Sequence, residues 1–185
     1  SVCSIFQIIR IFVSYFDCMD FKLVSDYKPM GDQPEAIEAL VNGINSGLKN
    51  QTLLGVTGSG KTEIYMTLIA EVLARGGDVL LLVPEIALTS QLIERMRRVF
   101  GERVTTYHSK LTALRRTESY LRLTASEGGE LIVGARSALL LPHRHLQLVI
   151  VDEEHDQSYK QSDTAPRYNG RDTAIYLASL RGAMT

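Results

Sequence analysis

Apolar residues recur along this chain in two rhythms, and their alternation predicts the fold. After Asp32-Gln33-Pro34-Glu35, the positions Ile37, Leu40, Val41, Ile44 and Leu48 keep to one face of a 3.6-residue period, which predicts a helix. Its start has Asp32 as N-cap, Pro34 in the first turn and Glu35 at capping-box spacing. Residues 51–56 read as a short strand, 55–60 as a glycine-rich loop, and 62–75 as a helix ended by Gly76 and Gly77. Val79, Leu80, Leu81, Leu82 and Val83 then form an unbroken apolar run closed by Pro84, the pattern of a strand buried on both faces.

The alternation continues to the end of the chain. Helices are predicted over 89–100, 111–125 and 171–180, with one helical turn at 137–141. Strands are predicted over 103–107, 131–134 and 147–151, and 156–169 is polar and irregular. Strands alternating with helices require a parallel sheet covered on both sides, joined by right-handed crossovers. The fold class is therefore a three-layer α/β domain.

Composition narrows this reading without changing it. With 185 residues, 45% hydrophobic and 22% charged, the chain suits about one ordinary folded domain and excludes collagen-like or disordered classes. Twenty Lys and Arg against 21 Asp and Glu leave a net charge of −1. Any nucleic-acid binding must then come from a local patch. Two cysteines, Cys3 and Cys18, make neither a disulfide framework nor a four-ligand zinc site, so a reducing, cytoplasmic location is expected.

The first residues stand apart. Residues 5–16 are mostly apolar but interrupted by Gln7, Arg10 and Ser14, and they fall short of the ~20 residues of a membrane span. A basic segment and a small-residue cleavage site are both missing, so neither a signal peptide nor membrane association is expected. Met19 opens a more ordinary sequence. The expected division is an apolar leader over 1–18, foreign to the domain, followed by the domain over 19–185.

Two motifs carry chemistry. Gly55-Val56-Thr57-Gly58-Ser59-Gly60-Lys61-Thr62 fits G-x-x-x-x-G-K-[ST] between a predicted strand and a predicted helix. Its glycines let backbone N–H groups turn onto phosphate oxygens, and the following helix presents its N-terminus to the same anion. Thr57, Gly58, Ser59, Gly60, Lys61 and Thr62 are thus candidate ATP contacts, with Lys61 charging the β- and γ-phosphates and Thr62 ligating Mg²⁺. Asp152-Glu153-Glu154-His155 follows the apolar strand ending at Val151. Adjacent acids at a buried strand end repel each other and lose solvation unless a cation is near, and a magnesium nucleotide supplies one. Asp152 is assigned to the Mg²⁺ shell, and Glu153 to orienting and deprotonating the attacking water. Farther on, Tyr159 and Tyr168 offer stacking faces, and Lys160, Arg167 and Arg171 offer charge to phosphates.

The acidic motif resembles the Asp-Glu-x-His motif of superfamily-two helicases, whose motor halves are RecA-like P-loop domains. Residues 55–63, 83–89, 108–109, 134–139 and 152–156 together resemble the primosomal protein N′ family of bacterial replication-restart helicases. That resemblance runs from about Gly55 onward. It implies a DNA-dependent ATPase using ATP and Mg²⁺, with single-stranded or forked DNA and replication-restart proteins as partners. It also implies DNA-backbone contacts around 84–89 and 134–137, including Arg136. An aromatic-rich loop over 158–172 would couple DNA to hydrolysis, through His155, Tyr159, Lys160, Arg167 and Tyr168. The tryptophan often present in that loop has no counterpart, because the chain has no Trp.

Residues 19–62 resemble instead the start of the UvrB family, the helicase-like excinuclease component of nucleotide excision repair. In that family the matching glutamine reads adenine, so Gln33 is a candidate nucleotide contact. An amide can both donate to and accept from the adenine edge. That family's tyrosine-rich hairpin is missing here. The two resemblances meet at the glycine-rich loop, and a join between two gene products is expected there. No second motor half follows within 185 residues. MgATP binding with slow hydrolysis and no unwinding is therefore expected of this chain alone. A binding module without turnover and an excision-repair fragment stay open as alternatives.

Overall fold

The computed structural model describes residues 31–53, 61–161, 165 and 167–185. The leader over 1–18, Met19 and Thr57 to Gly60 of the glycine-rich loop lie outside the described residues.

Four parallel strands make the sheet: β1 (Asp78–Leu82), β2 (Val104–Tyr107), β3 (Leu131–Gly134) and β4 (Leu146–Val151). Their order is β2-β3-β1-β4, so the apolar run predicted to be buried on both faces lies centrally. Every residue of β1 and β3 is buried. The register sets Leu82 beside Gly134 on one side and Val151 on the other, aligning three strand ends.

Alternate residues of β1 feed two cores. Val79 and Leu81 pack under the helices α1 (Gln33–Asn45), α2 (Lys61–Ala74) and α3 (Ser90–Phe100), with Val41, Ile69, Met96 and Phe100. Leu80 and Leu82 face the opposite layer, built from α4 (Ala113–Ala125), α5 (Gly170–Arg181) and a 3₁₀ turn at Arg136–Leu140. This is the three-layer α/β arrangement expected from the alternating pattern.

Local signals mostly act as expected. Thr89 and Thr112 cap α3 and α4 by accepting from Leu92 N and Arg115 N. Asp32 does not cap α1. Its backbone is already helical and Pro34 removes an N–H in the first turn, so its side chain makes no capping bond. Residues 51–53 carry no strand, and the rest of that predicted strand lies outside the described residues. Gly182 instead ends α5 in the left-handed region (φ 66°) and turns the chain back. Met184 then bridges Leu148 of β4, while Thr185 bonds with Lys49 and Gln51. The segment predicted to lead into the glycine-rich loop is thus tied through Thr185 to the β4 side of the sheet. No described helix is long and apolar enough to cross a membrane.

Candidate functional site

Parallel strands send their carboxyl ends to one edge, where α/β folds bind ligands. Lys61 and Thr62 open α2, so their side chains stand at the helix N-terminus, where the dipole favours an anion. Asp152 N donates to Leu82 O at 2.9 Å, so β4 stays bound to β1 through that residue. The chain then turns at once, with Asp156 N bonding Glu153 O at 2.8 Å.

Glu153 pays for that turn. Among the described residues it is the one non-glycine with positive φ, at 48°. A left-handed L-residue costs about 1–2 kcal/mol, and such strain concentrates at functional sites. The turn aims its carboxylate at the phosphate-loop lysine: Lys61 Nζ lies 3.3 Å from Glu153 Oε1. His155 Nε2 lies 3.5 Å from Glu153 Oε2, while its own ring is largely exposed. The expected trio Lys61, Asp152 and Glu153 is therefore brought together across 92 residues of sequence.

Two tyrosines hold Asp152, and sequence reading foresaw neither role. Tyr65 lies one helical turn beyond Lys61, hence on the same face of α2. Its hydroxyl donates to Asp152 Oδ1 at 3.0 Å. Burial, and after it the charge of Asp152, pushes this hydroxyl far above the usual tyrosine range, so it remains a donor. Glu153 N donates to the same oxygen at 3.1 Å. From the other side, Tyr159 OH donates to the backbone oxygen of Asp152 at 2.8 Å. Its hydroxyl is likewise held protonated, by burial first and then by Asp152.

Tyr159 was expected to stack on DNA bases, and the structure corrects this. The ring is 1% exposed and belongs to the core that contains Leu80 and Leu82. A 3₁₀ turn over Gln157–Tyr159, capped by Asp156 accepting from Ser158 N, rolls the ring inward. Tyr168 is half-buried and packs against the same core. Arg136 sits with its guanidinium 5.4 Å from the Tyr168 ring centre and donates to Ser158 O at 3.3 Å. Lys160 and Arg167 are exposed, and Lys160 pairs with Asn169 in an antiparallel bridge that closes the loop. Gln33 opens α1 and is half-buried.

The donors suit a hard cation. Thr62 offers a hydroxyl and Asp152 a carboxylate whose hydrogen bonds among the described residues both fall on Oδ1, leaving Oδ2 for a metal. Mg²⁺ is commonly held by one or two carboxylates plus substrate phosphates, and needs no larger protein cluster. An open cleft of about 790 Å³ is lined by Lys61, Tyr65, Asp152 and Glu153 together with Ile44 and Met184.

Comparison with known proteins agrees with this arrangement. The DEAD/DEAH box helicase family model matches residues 30–172. Replication restart protein PriA of Helicobacter pylori (strain ATCC 700392 / 26695) is 52% identical over 126 residues, covering 68% of this chain and 20% of the relative. The protein of the same name from Treponema pallidum (strain Nichols) is 39% identical over 167 residues, covering 90% of this chain and 25% of the relative. The chain thus spans about a fifth to a quarter of these relatives' length. An alignment covering 90% of the chain must run well upstream of Gly55, so the likeness to replication restart proteins is not confined to the later part. The matched span covers most of the chain, which therefore belongs to the DEAD/DEAH box helicase family.

Proposed function

We propose that this chain is the first motor half of a DNA-dependent ATPase acting in replication restart, as the relatives' name implies for the longer protein. The observation that carries the reading is Lys61, Asp152 and Glu153 gathered at the carboxyl edge of the sheet, with Lys61 3.3 Å from Glu153. ATP would place its β- and γ-phosphates against Lys61 and the α2 N-terminus, with Thr62 and Asp152 holding Mg²⁺. Bound Mg²⁺ offsets phosphate charge as it develops during hydrolysis. Without nucleotide, Lys61 neutralises Glu153. Once phosphates engage Lys61, Glu153 is released to orient a water and accept its proton.

DNA would lie along the outward side of the same edge, where Arg136, Tyr168, Lys160 and Arg167 cluster. In the longer protein the partners would be single-stranded or forked DNA and other replication-restart proteins. These 185 residues alone are expected to bind MgATP and to turn it over.

Fluorescent-nucleotide binding and phosphate release, each with and without single-stranded DNA, test this. Lys61→Ala is expected to abolish binding. Glu153→Gln is expected to keep binding and lower hydrolysis by about 10²–10⁴-fold. If Glu153→Gln leaves turnover unchanged, the water-activating role is wrong. A wild-type rate indifferent to DNA would instead favour a nucleotide-binding module.

A further inference from the structure

Asp152 is the residue on which the nucleotide reading depends, and Tyr65 holds it. A carboxylate on a short loop can rotate about χ1 and χ2, and a metal ligand that must be reoriented binds its ion more weakly. Here one oxygen is occupied twice: Oδ1 accepts from Tyr65 OH at 3.0 Å and from Glu153 N at 3.1 Å. The Glu153 donor is local to the loop and moves with it. The Tyr65 donor is not. It stands on α2, the helix that opens with Lys61 and Thr62, and its ring packs against the core under the sheet. One rigid element therefore carries the phosphate-facing lysine, the metal-facing hydroxyl and the group that fixes the opposing carboxylate.

We propose that Tyr65 is a positioning residue for the metal-binding carboxylate: through Oδ1 it locks Asp152 so that Oδ2 faces the cation beside Thr62. The inference rests on the MgATP reading above. Partners that orient a metal ligand are typically worth about 10–100-fold in metal affinity. Tyr65 makes a single such bond, so the lower end applies.

The test is a Tyr65→Phe variant of the full chain, which keeps the ring and deletes only the donor. Binding of a fluorescent N-methylanthraniloyl-ADP probe is followed while MgCl₂ is titrated, and again in EDTA. The half-saturating Mg²⁺ concentration should rise about 10-fold, with probe affinity in EDTA unchanged within about twofold. Melting in EDTA supplies a second readout. A lower melting temperature with an unmoved Mg²⁺ midpoint would mean a merely structural tyrosine and would overturn the proposal. Equal losses with and without Mg²⁺ would overturn it too. Asp152→Ala separates the two levels. If wild-type binding responds to Mg²⁺ and Asp152→Ala abolishes the response, the nucleotide reading stands and Tyr65→Phe alone decides the inference. If wild-type binding ignores Mg²⁺, both fail together.

Discussion

Replacing Tyr159 by alanine should unfold this protein long before it weakens any contact with DNA. The ring is 1% exposed and packs with Leu80, Leu82 and Val149, so its deletion leaves a large apolar void. Truncating a buried aromatic to alanine costs about 3–5 kcal/mol. At about 2–4 °C per kcal/mol for a domain of this size, the melting temperature should fall by about 6–20 °C. Tyr159→Phe keeps the volume but strands the Asp152 carbonyl, which accepts the hydroxyl at 2.8 Å. Losing a hydrogen bond at this half-buried position costs about 0.5–1.5 kcal/mol, so this variant should melt between wild type and Tyr159→Ala. Differential scanning fluorimetry reads both shifts, and fluorescence anisotropy with an oligothymidine reads DNA binding. A stacking platform would give the reverse pattern. Tyr159→Ala would then lose about 1–3 kcal/mol of single-strand affinity with its melting temperature unmoved, and that result would refute the burial reasoning.

Three further outcomes are expected. Glu153→Asn should be about 1 kcal/mol more stable in urea than Glu153→Gln, because both lose the Lys61 pair and only Asn readily accepts the left-handed backbone at φ 48°; equal midpoints would argue against stored strain. His143 is 1% exposed, with Nε2 bonded to Ala138 O at 2.9 Å and Nδ1 without a partner among the described residues. Burial, ahead of the charge of Arg181, pushes its ring below the usual 6.5, while the Ala138 bond and Asp78 oppose this. The unfolded chain therefore takes up the proton more readily. Stability from neutral His143 is full above about pH 6.5 and drains away as pH falls through the folded value. The urea midpoint should drop from pH 7 to 5.5, and His143→Leu should flatten that slope. At Gly134 a Cβ would stand 2.4 Å from Tyr107 O and 2.6 Å from the Ala138 Cβ, so Gly134→Ala should cost about 1–3 kcal/mol of unfolding free energy, and a neutral effect would contradict the close packing of β2 on β3.

The layers were legible because burial leaves a simple imprint on sequence. Val79 to Val83 must be apolar throughout when both faces of a strand are covered, and no helix or exposed strand needs that run. Lys61, Asp152 and Glu153 stood out in the sequence because phosphate and metal chemistry would constrain residue type and spacing, and the fold does bring Lys61 to 3.3 Å from Glu153. The tyrosines were not, because a tyrosine serves a core, a hydrogen bond or a base stack with the same side chain. Only the 3₁₀ turn after Asp156 decides that Tyr159 points inward while Tyr168 stays near Arg136. Asp32 shows the same limit at smaller scale. Its residue type and spacing fit a cap, but backbone angles decide whether the side chain can reach.

The two tyrosines also explain why a strained, charged turn can be held at a sheet edge. Tyr65 reaches Asp152 from the layer that contains α2, and Tyr159 reaches it from the opposite layer. One bonds the carboxylate and the other the backbone carbonyl of the same residue. Movement of Asp152 away from the sheet would break a bond anchored in either core, and rotation of its side chain would break the first alone. Glu153, one residue on, has no such brace: its carboxylate is tied only to Lys61 and to the exposed His155 among the described residues. Asp152 is thus fixed by both layers, while Glu153 is left able to change partners. Under the proposed function, a carboxylate that holds an ion would gain from rigidity, and one that must release a lysine and take up a proton would gain from freedom. Adjacent positions meet both needs because the chain leaves the sheet between them.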